Sequence, residues 1–341
     1  MVRIAREQGF EWGEVLRASR AEPYRCAVFD GKRCLGAAAA LVWRVPALRC
    51  SVVYAPRGPL IDPEEPAAAA DLLDHLRTFA SSSTGAIVFR VSPALAGNRP
   101  DVHELLTHQG FTKLPEQWTI WNSPAIVMLS SLDGTEEDVW RRLSASRRRE
   151  IRMAEAIGIE LGPPRTRDDL MAFYRLIVTS GTPKKFPVRR LRHYTALWRI
   201  YGATETVVFF EVARHRGAIV GGLFGVRLGT KAYLLYSTVE RALMAVPAVT
   251  AGPLLYWRFM RWASRHGCDS INWGGSATSL PPQESDPGFG LYQFKRSLGA
   301  ECLAYIGYYD LVLRPRLYAV FRAIEGRLGP SLWRLRAAMN R

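Results

Sequence analysis

The feature that most constrains this 341-residue chain is a run of three strand-like segments in its second half. Short turns separate the segments, which are rich in apolar and β-branched side chains, and we predict a three-stranded meander over residues 205–213, 218–228 and 231–239. A basic helix and a short strand open this half, and two further helices precede the meander. After it we predict a helix, a strand, a short helix and a final strand. In chain order these flanking elements are residues 140–156, 159–161, 168–179, 188–201, 253–266, 269–273, 292–298 and 303–309.

The first half of the chain approximates the same order. Its predicted strands are residues 24–30, 34–45, 49–54, 86–91 and 125–129, and its predicted helices are residues 64–78 and 102–109. Helix, helix, meander, helix, strand, helix, strand is the order of the acyltransferase fold called GNAT. We therefore predict an α/β (α+β) protein of two tandem GNAT-like acyltransferase domains, with mixed sheets flanked by helices. The predicted domains are residues 1–134 and 135–310, and C-terminal helices at 311–341 join the first domain.

The charge balance points to an anionic partner. Lysine and arginine number 46 against 31 acidic residues, which gives a net charge of +15. Nucleic acid, a nucleotide-linked substrate or an acidic membrane surface would each fit such a charge. The alternative is an arginine-rich composition set by the genome. Clustering of the charge favours a partner, because residues 141–152 hold six arginines and a single acid.

Several function classes lack support in the sequence. The five cysteines are scattered without CxxC spacing, and the six histidines lack the spacing of metal ligands, so we expect a reduced, cytoplasmic protein with no metal site. We predict neither a signal peptide nor a transmembrane helix. GxSxG, HExxH and GxxxxGK[ST] motifs are missing. The usual coenzyme A loop of acetyltransferases is also missing, since residues 248–252 offer one glycine and no charge.

Several segments, in order along nearly the whole chain, carry a family resemblance. They are the Q-x-x-x-W of residues 8–12, the PRGP of residues 56–59, the basic helix of residues 140–158 and the G-x-x-x-F-K-x-x-x-G-A of residues 290–300. In these segments the chain resembles the Fem-type aminoacyltransferases. These enzymes move an amino acid from aminoacyl-tRNA onto a peptidoglycan precursor. The resemblance implies amide formation with aminoacyl-tRNA as co-substrate and with no other cofactor.

Lys295 is the catalytic candidate that this resemblance implies. An aminoacyl ester is already activated, so amide formation needs positioning and oxyanion stabilisation more than a strong base. A lysine ammonium is a compact cation suited to a developing oxyanion or a nearby phosphate. Phe294 beside it is predicted to pack against substrate or core. The alternative for Lys295 is a solvated lysine on a short helix.

The acceptor side is implied by three residues of the second half. Arg190 and Tyr194 resemble the family's R-x-x-x-Y, which contacts the acceptor's phosphates. On one helix the two would lie a turn apart and meet the same anion. Tyr236 matches another acceptor-contacting tyrosine, and we place these three with Lys295 in one cleft. The alternative is a surface arginine with two half-buried core tyrosines.

The first half adds three substrate-binding candidates. Trp12 closes the N-terminal motif, and Arg57 in its proline-bounded turn either binds substrate or locks the two domains together. Family members usually carry a lysine four positions after the tryptophan, where it helps to hold the acceptor's pyrophosphate. Here that position is Leu16, with Arg17 next to it. The acceptor therefore stays open between a peptidoglycan precursor and a small-molecule or peptide metabolite.

The basic helix and the C-terminal tail supply the remaining contact predictions. The helix either tracks tRNA phosphates or presents a solvated face, and its predicted tRNA contacts are Arg147, Arg148, Arg149 and Arg152. The tail, residues 311–341, either lies peripherally on an anionic membrane or docks as a helix on the first domain.

Three functional hypotheses follow. The leading one is a tRNA-dependent aminoacyltransferase that forms an amide on an amine acceptor, with no role for DNA. The second is a coenzyme A-dependent N-acyltransferase. The third is a basic RNA-binding module without catalysis, which explains the charge but leaves the Phe294–Lys295 segment without a role.

Overall fold

The computed structural model describes residues 5–18, 21–45, 50–97, 99–115, 124–184, 188–202, 207–240, 250–276, 279–286 and 288–325. The described chain divides into two compact units. Unit 1 contains the described residues up to Ala125 and those from Leu303 onward, and unit 2 contains Ile126–Cys302.

The helices are α1 (Phe10–Arg17), α2 (Pro66–Thr78), α3 (Pro100–His108), α4 (Glu136–Arg142), α5 (Ala145–Ala156), α6 (Arg167–Lys184), α7 (Leu191–Tyr201), α8 (Gly252–Arg265), α9 (Phe289–Arg296) and α10 (described over 315–325). The strands are β1 (Glu22–Asp30), β2 (Arg33–Val45), β3 (Cys50–Arg57), β4 (Leu60–Ile61), β5 (Ala86–Pro93), β6 (Thr112–Lys113), β7 (Ile126–Ser131), β8 (Glu160–Gly162), β9 (Val208–His215), β10 (Ala218–Leu228), β11 (Lys231–Val239), β12 (Ser270–Asn272), β13 (Ala300–Ala304) and β14 (Tyr309–Val312). None of these helices combines the length and hydropathy needed to cross a membrane, as far as the described residues extend.

Unit 1 is a seven-stranded sheet in the order β1-β2-β3-β5-β14-β6, with β4 paired to β2. Helix α2 covers this sheet because its apolar residues recur every three or four positions and form one stripe. Leu72, Leu73 and Leu76 of that stripe are fully buried in the core of the unit. Pro66 begins the helix, where a missing backbone N–H costs nothing. The predicted helix at 64–78 is confirmed within two residues.

Unit 2 is a second seven-stranded sheet in the order β13-β7-β12-β11-β10-β9-β8. The predicted meander is confirmed as β9, β10 and β11, which pair antiparallel in succession. Strand β12 then pairs parallel to the first part of β11 only, from Lys231 to Tyr233. Beyond that point the two strands no longer pair. Helices α5 and α8 contribute to the main core of the unit, while α6 and α7 provide its other helical layer.

The chain passes from unit 1 to unit 2 after Ala125 and returns after Cys302. The predicted domain boundaries were wrong by one strand at each of these two points. Strand β7, placed by the sequence in the first domain, pairs with β12 in unit 2. The predicted final strand at 303–309 is two strands, of which β13 belongs to the unit 2 sheet and β14 to the unit 1 sheet. Strand β14 pairs with β5, Tyr309 lying opposite Val91. The reason is that pairing over long sequence separations decides which sheet a strand joins, and local patterns do not encode it.

Helix α10 packs on unit 1 around a buried arginine. Arg90 on β5 is 0% exposed and binds the carboxylate of Asp310 through Nε and Nη2 at 2.6 and 2.8 Å. It also binds Glu325 on α10 at 2.6 and 3.0 Å. Tyr318 donates its hydroxyl to Asp310 at 2.9 Å. For residues 315–325 the structure therefore has the tail docked on the first domain; residues 326–341 lie outside the described part.

Candidate active site

Lys295 lies on α9 and is buried, with only 5% of its surface exposed. Its Nζ donates to the carbonyl oxygens of Gly275 and Gly274, at 2.9 and 3.2 Å. Burial lowers the pKa of this ammonium to about 8, with the nearby Cys302 acting in the opposite direction. Among the described residues these two carbonyls are its hydrogen-bond partners, which leaves one ammonium proton for another acceptor. A solvated lysine, the alternative from the sequence, does not fit this burial.

The loop that binds Lys295 follows β12 and passes close to the start of α9. Gly274 adopts a φ of +73°, a conformation that favours glycine, and its N–H is bound by Asn272 at 2.8 Å. A Cβ at Gly288, the residue before α9, would lie 1.6 Å from the carbonyl oxygen of Ser276. The two glycines therefore permit the close approach that brings the loop to Lys295.

Phe294 packs inward, into an aromatic cluster that the sequence did not predict. Tyr256 on α8 contacts the ring of Phe294 edge-on, with the ring centroids 5.1 Å apart, and contacts Trp273 in the same manner at 5.7 Å. Its hydroxyl shares a 2.6 Å hydrogen bond with Ser237 on β11. Burial raises the pKa of Tyr256, against the lowering effects of Ser237 and Arg147. Tyr256 carries no motif, so only its neighbours in space identify it.

The predicted tRNA-binding arginines divide into two groups. Arg147 is half-buried: its guanidinium lies 4.9 Å from the centre of the Phe294 ring and donates to Ser297 at 3.1 Å. Arg148 is also half-buried and donates to a backbone carbonyl of α4 at 3.1 Å. Arg149 and Arg152 are exposed, and Arg152 lies over the Trp140 ring. Arg147 thus supports the segment that carries Lys295, while Arg149 and Arg152 face solvent.

Tyr194 on α7 contacts Tyr236 on β11, but the predicted geometry of Arg190 was wrong. The helix begins at Leu191, so Arg190 is its extended N-cap residue and not a helical neighbour of Tyr194. Tyr194 is buried and contacts the ring of Tyr236 edge-on at 4.9 Å. Burial, and then Tyr236, raise the pKa of Tyr194. His193, which the sequence did not single out, shares a 2.8 Å hydrogen bond with the hydroxyl of Tyr236.

This tyrosine cluster and the Phe294 cluster lie on opposite faces of β11. Successive side chains of a strand alternate between its two faces. Tyr236 points toward α7, and the next residue, Ser237, points toward Tyr256 on α8. Lys295 itself binds the loop after β12, beyond the point where β11 and β12 stop pairing. A single cleft that joins all four predicted residues stays a prediction.

Two of the three candidates in unit 1, Trp12 and Arg57, are buried. Trp12 is buried beneath the guanidinium of Arg6, and Gln8 of the same motif binds backbone groups of β2 and β3. Arg57 has a φ of +57°, which is strained for a residue other than glycine. Its guanidinium lies over the Tyr305 ring at 4.3 Å and donates to the carbonyl of Pro124.

Both of these partners of Arg57 belong to unit 1. Arg17 differs from the other two candidates, because 58% of its side chain is exposed and it pairs loosely with Glu14 at 3.5 Å. Leu16, at the position where the family usually has a lysine, is buried.

Comparison with known proteins places this geometry in a family. The profile of the FemAB family matches residues 7–216, which is more than half of the chain. The chain belongs to the FemAB family. A second profile, described as an acetyltransferase (GNAT) domain, matches residues 141–296 of this FemAB protein and includes Lys295.

Relatives of this FemAB protein cover nearly its whole length. The lipid II:glycine glycyltransferase of Staphylococcus haemolyticus (strain JCSC1435) is 19% identical in an alignment that covers 93% of this chain and 90% of the relative. The crystal structure of FemX superposes with a TM-score of 0.82 at 17% identity, covering 93% of this chain and 94% of FemX.

A more distant structure is the C-terminal domain of a putative lysylphosphatidylglycerol synthetase from Agrobacterium fabrum. It has a TM-score of 0.55 at 13% identity and covers 94% of this chain and 92% of its own. Likeness at such identities shows the fold, and the predicted fold class of two GNAT-like domains is confirmed.

Proposed function

We propose that this FemAB protein is a cytoplasmic aminoacyltransferase. It takes an amino acid from aminoacyl-tRNA and forms an amide with an amine of a peptidoglycan precursor or of a specialised-metabolite acceptor. The observation that carries the proposal is the buried ammonium of Lys295, held by two backbone carbonyls of the loop after β12. The name of the Staphylococcus relative, a glycyltransferase that acts on lipid II, supports the reaction class and an amine acceptor.

The reaction requires charge stabilisation at one oxygen. The acceptor amine attacks the ester carbonyl, a C–N bond forms, and the carbonyl oxygen becomes an oxyanion. The ester C–O bond then breaks, and the ribose hydroxyl leaves with a proton that the amine gives up. A fixed cation beside the developing oxyanion stabilises the transition state more than the ground state. Lys295 suits this role because its carbonyl contacts already fix the direction of its ammonium.

The proposed tRNA contact rests on the exposed part of the basic helix. Arg149 and Arg152 face solvent on α5, which follows α4 with its own exposed arginines. Contacts of arginine with phosphate release counterions, so binding of tRNA would weaken as salt rises.

Activity is expected to fall as the pH rises through about 8, where Lys295 titrates. Burial lowers the pKa of this lysine, so the cationic form that stabilises the oxyanion is complete below that pH and is lost above it. Initial rates measured between pH 6 and 10 at saturating substrates test this. The residual activity of Lys295→Arg should lack the descending limb, because arginine stays charged throughout. A wild-type rate that still rises above pH 9 would contradict the assignment.

Transfer from a charged tRNA tests the function directly. We expect mixed aminoacyl-tRNAs and a cell extract to yield a new amide product that mass spectrometry detects. Ribonuclease treatment of the donor should abolish the product, and product formation that survives ribonuclease would exclude the proposal.

The second candidate function is a coenzyme A-dependent N-acyltransferase, which the match to an acetyltransferase (GNAT) domain favours. It is tested by supplying acetyl-coenzyme A as the donor in the same assay. Part of the loop at 248–252, where coenzyme A would bind, lies outside the described residues.

A further inference from the structure

A closed circuit of hydrogen bonds surrounds Lys295, and it passes through two residues that carry no motif. The Nζ of Lys295 binds the carbonyls that directly follow Trp273. The indole Nε1 of Trp273 donates to Ser130 Oγ at 2.7 Å. Ser130 Oγ donates in turn to the carbonyl of Leu298 at 3.0 Å. The N–H of Leu298 returns to the carbonyl of Lys295 at 2.9 Å, which closes the circuit.

The chemistry of the groups fixes the direction of every bond. An indole N–H only donates and a carbonyl only accepts, so the hydroxyl of Ser130 must receive from Trp273 and give to Leu298. The hydroxyl of Ser130 therefore accepts one hydrogen bond and donates one within the circuit. All four residues are buried: Ser130 and Leu298 are 1% exposed, Trp273 is 3% exposed and Lys295 is 5% exposed. In such a dry setting an unpaired partner is costly, so the circuit has one arrangement.

The circuit joins three segments that are far apart in the sequence. Ser130 belongs to β7, Trp273 begins the loop after β12, and Leu298 follows α9. Ser130 therefore fixes the end of the helix that carries the ammonium relative to the loop that carries its two acceptors. Tyr256 reinforces the same junction, since it contacts both Trp273 and Phe294.

We propose that Ser130 and Trp273 are positioning residues for the ammonium of Lys295. They hold the loop after β12 and the end of α9 in one register, so that the remaining ammonium proton has a single direction. This inference rests on the proposed function in giving Lys295 its catalytic role. A displacement of about 1 Å at a catalytic group can cost roughly 100-fold in rate, so a distant hydroxyl can matter to turnover.

The test is Ser130→Ala, with Ser51→Ala as the matched control. Ser51 is also 1% exposed on a strand and also donates to a carbonyl oxygen at 3.0 Å, but it lies in unit 1. We expect Ser130→Ala to lower kcat by about 10- to 100-fold with little change in either KM, and Ser51→Ala to keep the wild-type kcat. Trp273→Phe keeps an aromatic ring but removes the indole N–H donor, and it should lower kcat by a similar factor. This variant replaces Ser130→Ala in the test if Ser130→Ala does not fold.

A double-mutant cycle separates positioning from general stability. In a Lys295→Ala background, Ser130→Ala should lower kcat no further, because its effect passes through the missing ammonium. An additive loss in that background would overturn the proposal, as would an equal loss of kcat in Ser51→Ala.

A readout independent of turnover separates this inference from the proposed function. If the wild-type protein transfers nothing from charged tRNA, the proposed function fails, and NMR of protein labelled with 15N-lysine decides the positioning role. The Lys295 signal is assigned by its loss in Lys295→Arg. Faster hydrogen exchange of this ammonium in Ser130→Ala than in wild type and Ser51→Ala supports the circuit. Equal exchange in all three proteins overturns it.

Discussion

Replacement of Lys295 by alanine is expected to lower kcat by about 100- to 1,000-fold, the usual effect of removing one preorganised oxyanion-stabilising group. The variant loses the only cation that the proposed mechanism places at the reacting oxygen. The KM values should change little, because the charge develops after binding. Single-turnover rates of transfer from a charged tRNA give the measurement.

Two variants make the Lys295 result specific. Lys231→Ala removes a half-buried lysine at the start of β11, whose Nζ makes a weak 3.4 Å contact with Ser270, and it should retain the wild-type kcat. Lys295→Arg keeps the charge but not the compact ammonium between two carbonyls, so we expect only partial recovery. A Lys295→Ala protein that turns over at the wild-type rate would remove Lys295 from the mechanism.

Replacement of Arg90 by alanine is expected to lower the free energy of unfolding of unit 1 by about 3–5 kcal/mol, the typical cost of breaking a buried ion pair by removing one partner. The guanidinium is fully buried between Asp310 and Glu325. Its loss leaves Asp310 in the interior without its counter-charge and leaves Glu325 with Arg322 as its remaining ion-pair partner. Urea unfolding, with hydrogen exchange of the β5 amides as the readout, measures the free energy of unfolding of unit 1 specifically.

An exposed arginine on the same sheet provides the control. Arg44 binds Glu22 through Nε and Nη2 at 2.9 and 2.8 Å, the same fork geometry, but both side chains are more than half exposed. Arg44→Ala should therefore leave the free energy of unfolding close to that of the wild type, because solvent screens an exposed ion pair. An equal loss in the free energy of unfolding in both variants would show that burial is not the reason why the Arg90 ion pairs stabilise the protein.

The sequence predicted the local elements well and the partners of distant strands poorly. The meander has a period-two pattern bounded by turns, so β9, β10 and β11 were predicted within a few residues. Strand β7 was predicted from an equally clear pattern, and β14 shares Tyr309 with the predicted final strand, yet each joined the other unit. Apolar alternation shows that a strand will be buried, but it does not say against which neighbour.

The candidate site shows the same division. Lys295 and Phe294 were found because they belong to a motif, whereas Tyr256, Ser130 and Trp273 were missed. These three have ordinary neighbours in sequence, and they reach Lys295 only through the fold. Arg147 shows a related failure, because a run of like charges predicted solvent exposure while the packing of α5 against Phe294 half-buried one of its members.

The exchange of β7 and β14 between the halves of the chain sets an order for folding during synthesis. Every strand of the unit 2 sheet has been made once β13 leaves the ribosome, so this unit can complete its core while the protein is still attached. Unit 1 begins first but finishes last, since β14 lies between β5 and β6. Until β14 arrives, β5 presents an open edge to other chains. A nascent protein stalled just after β13 would thus carry a folded unit 2 together with an incomplete unit 1 that is prone to aggregation.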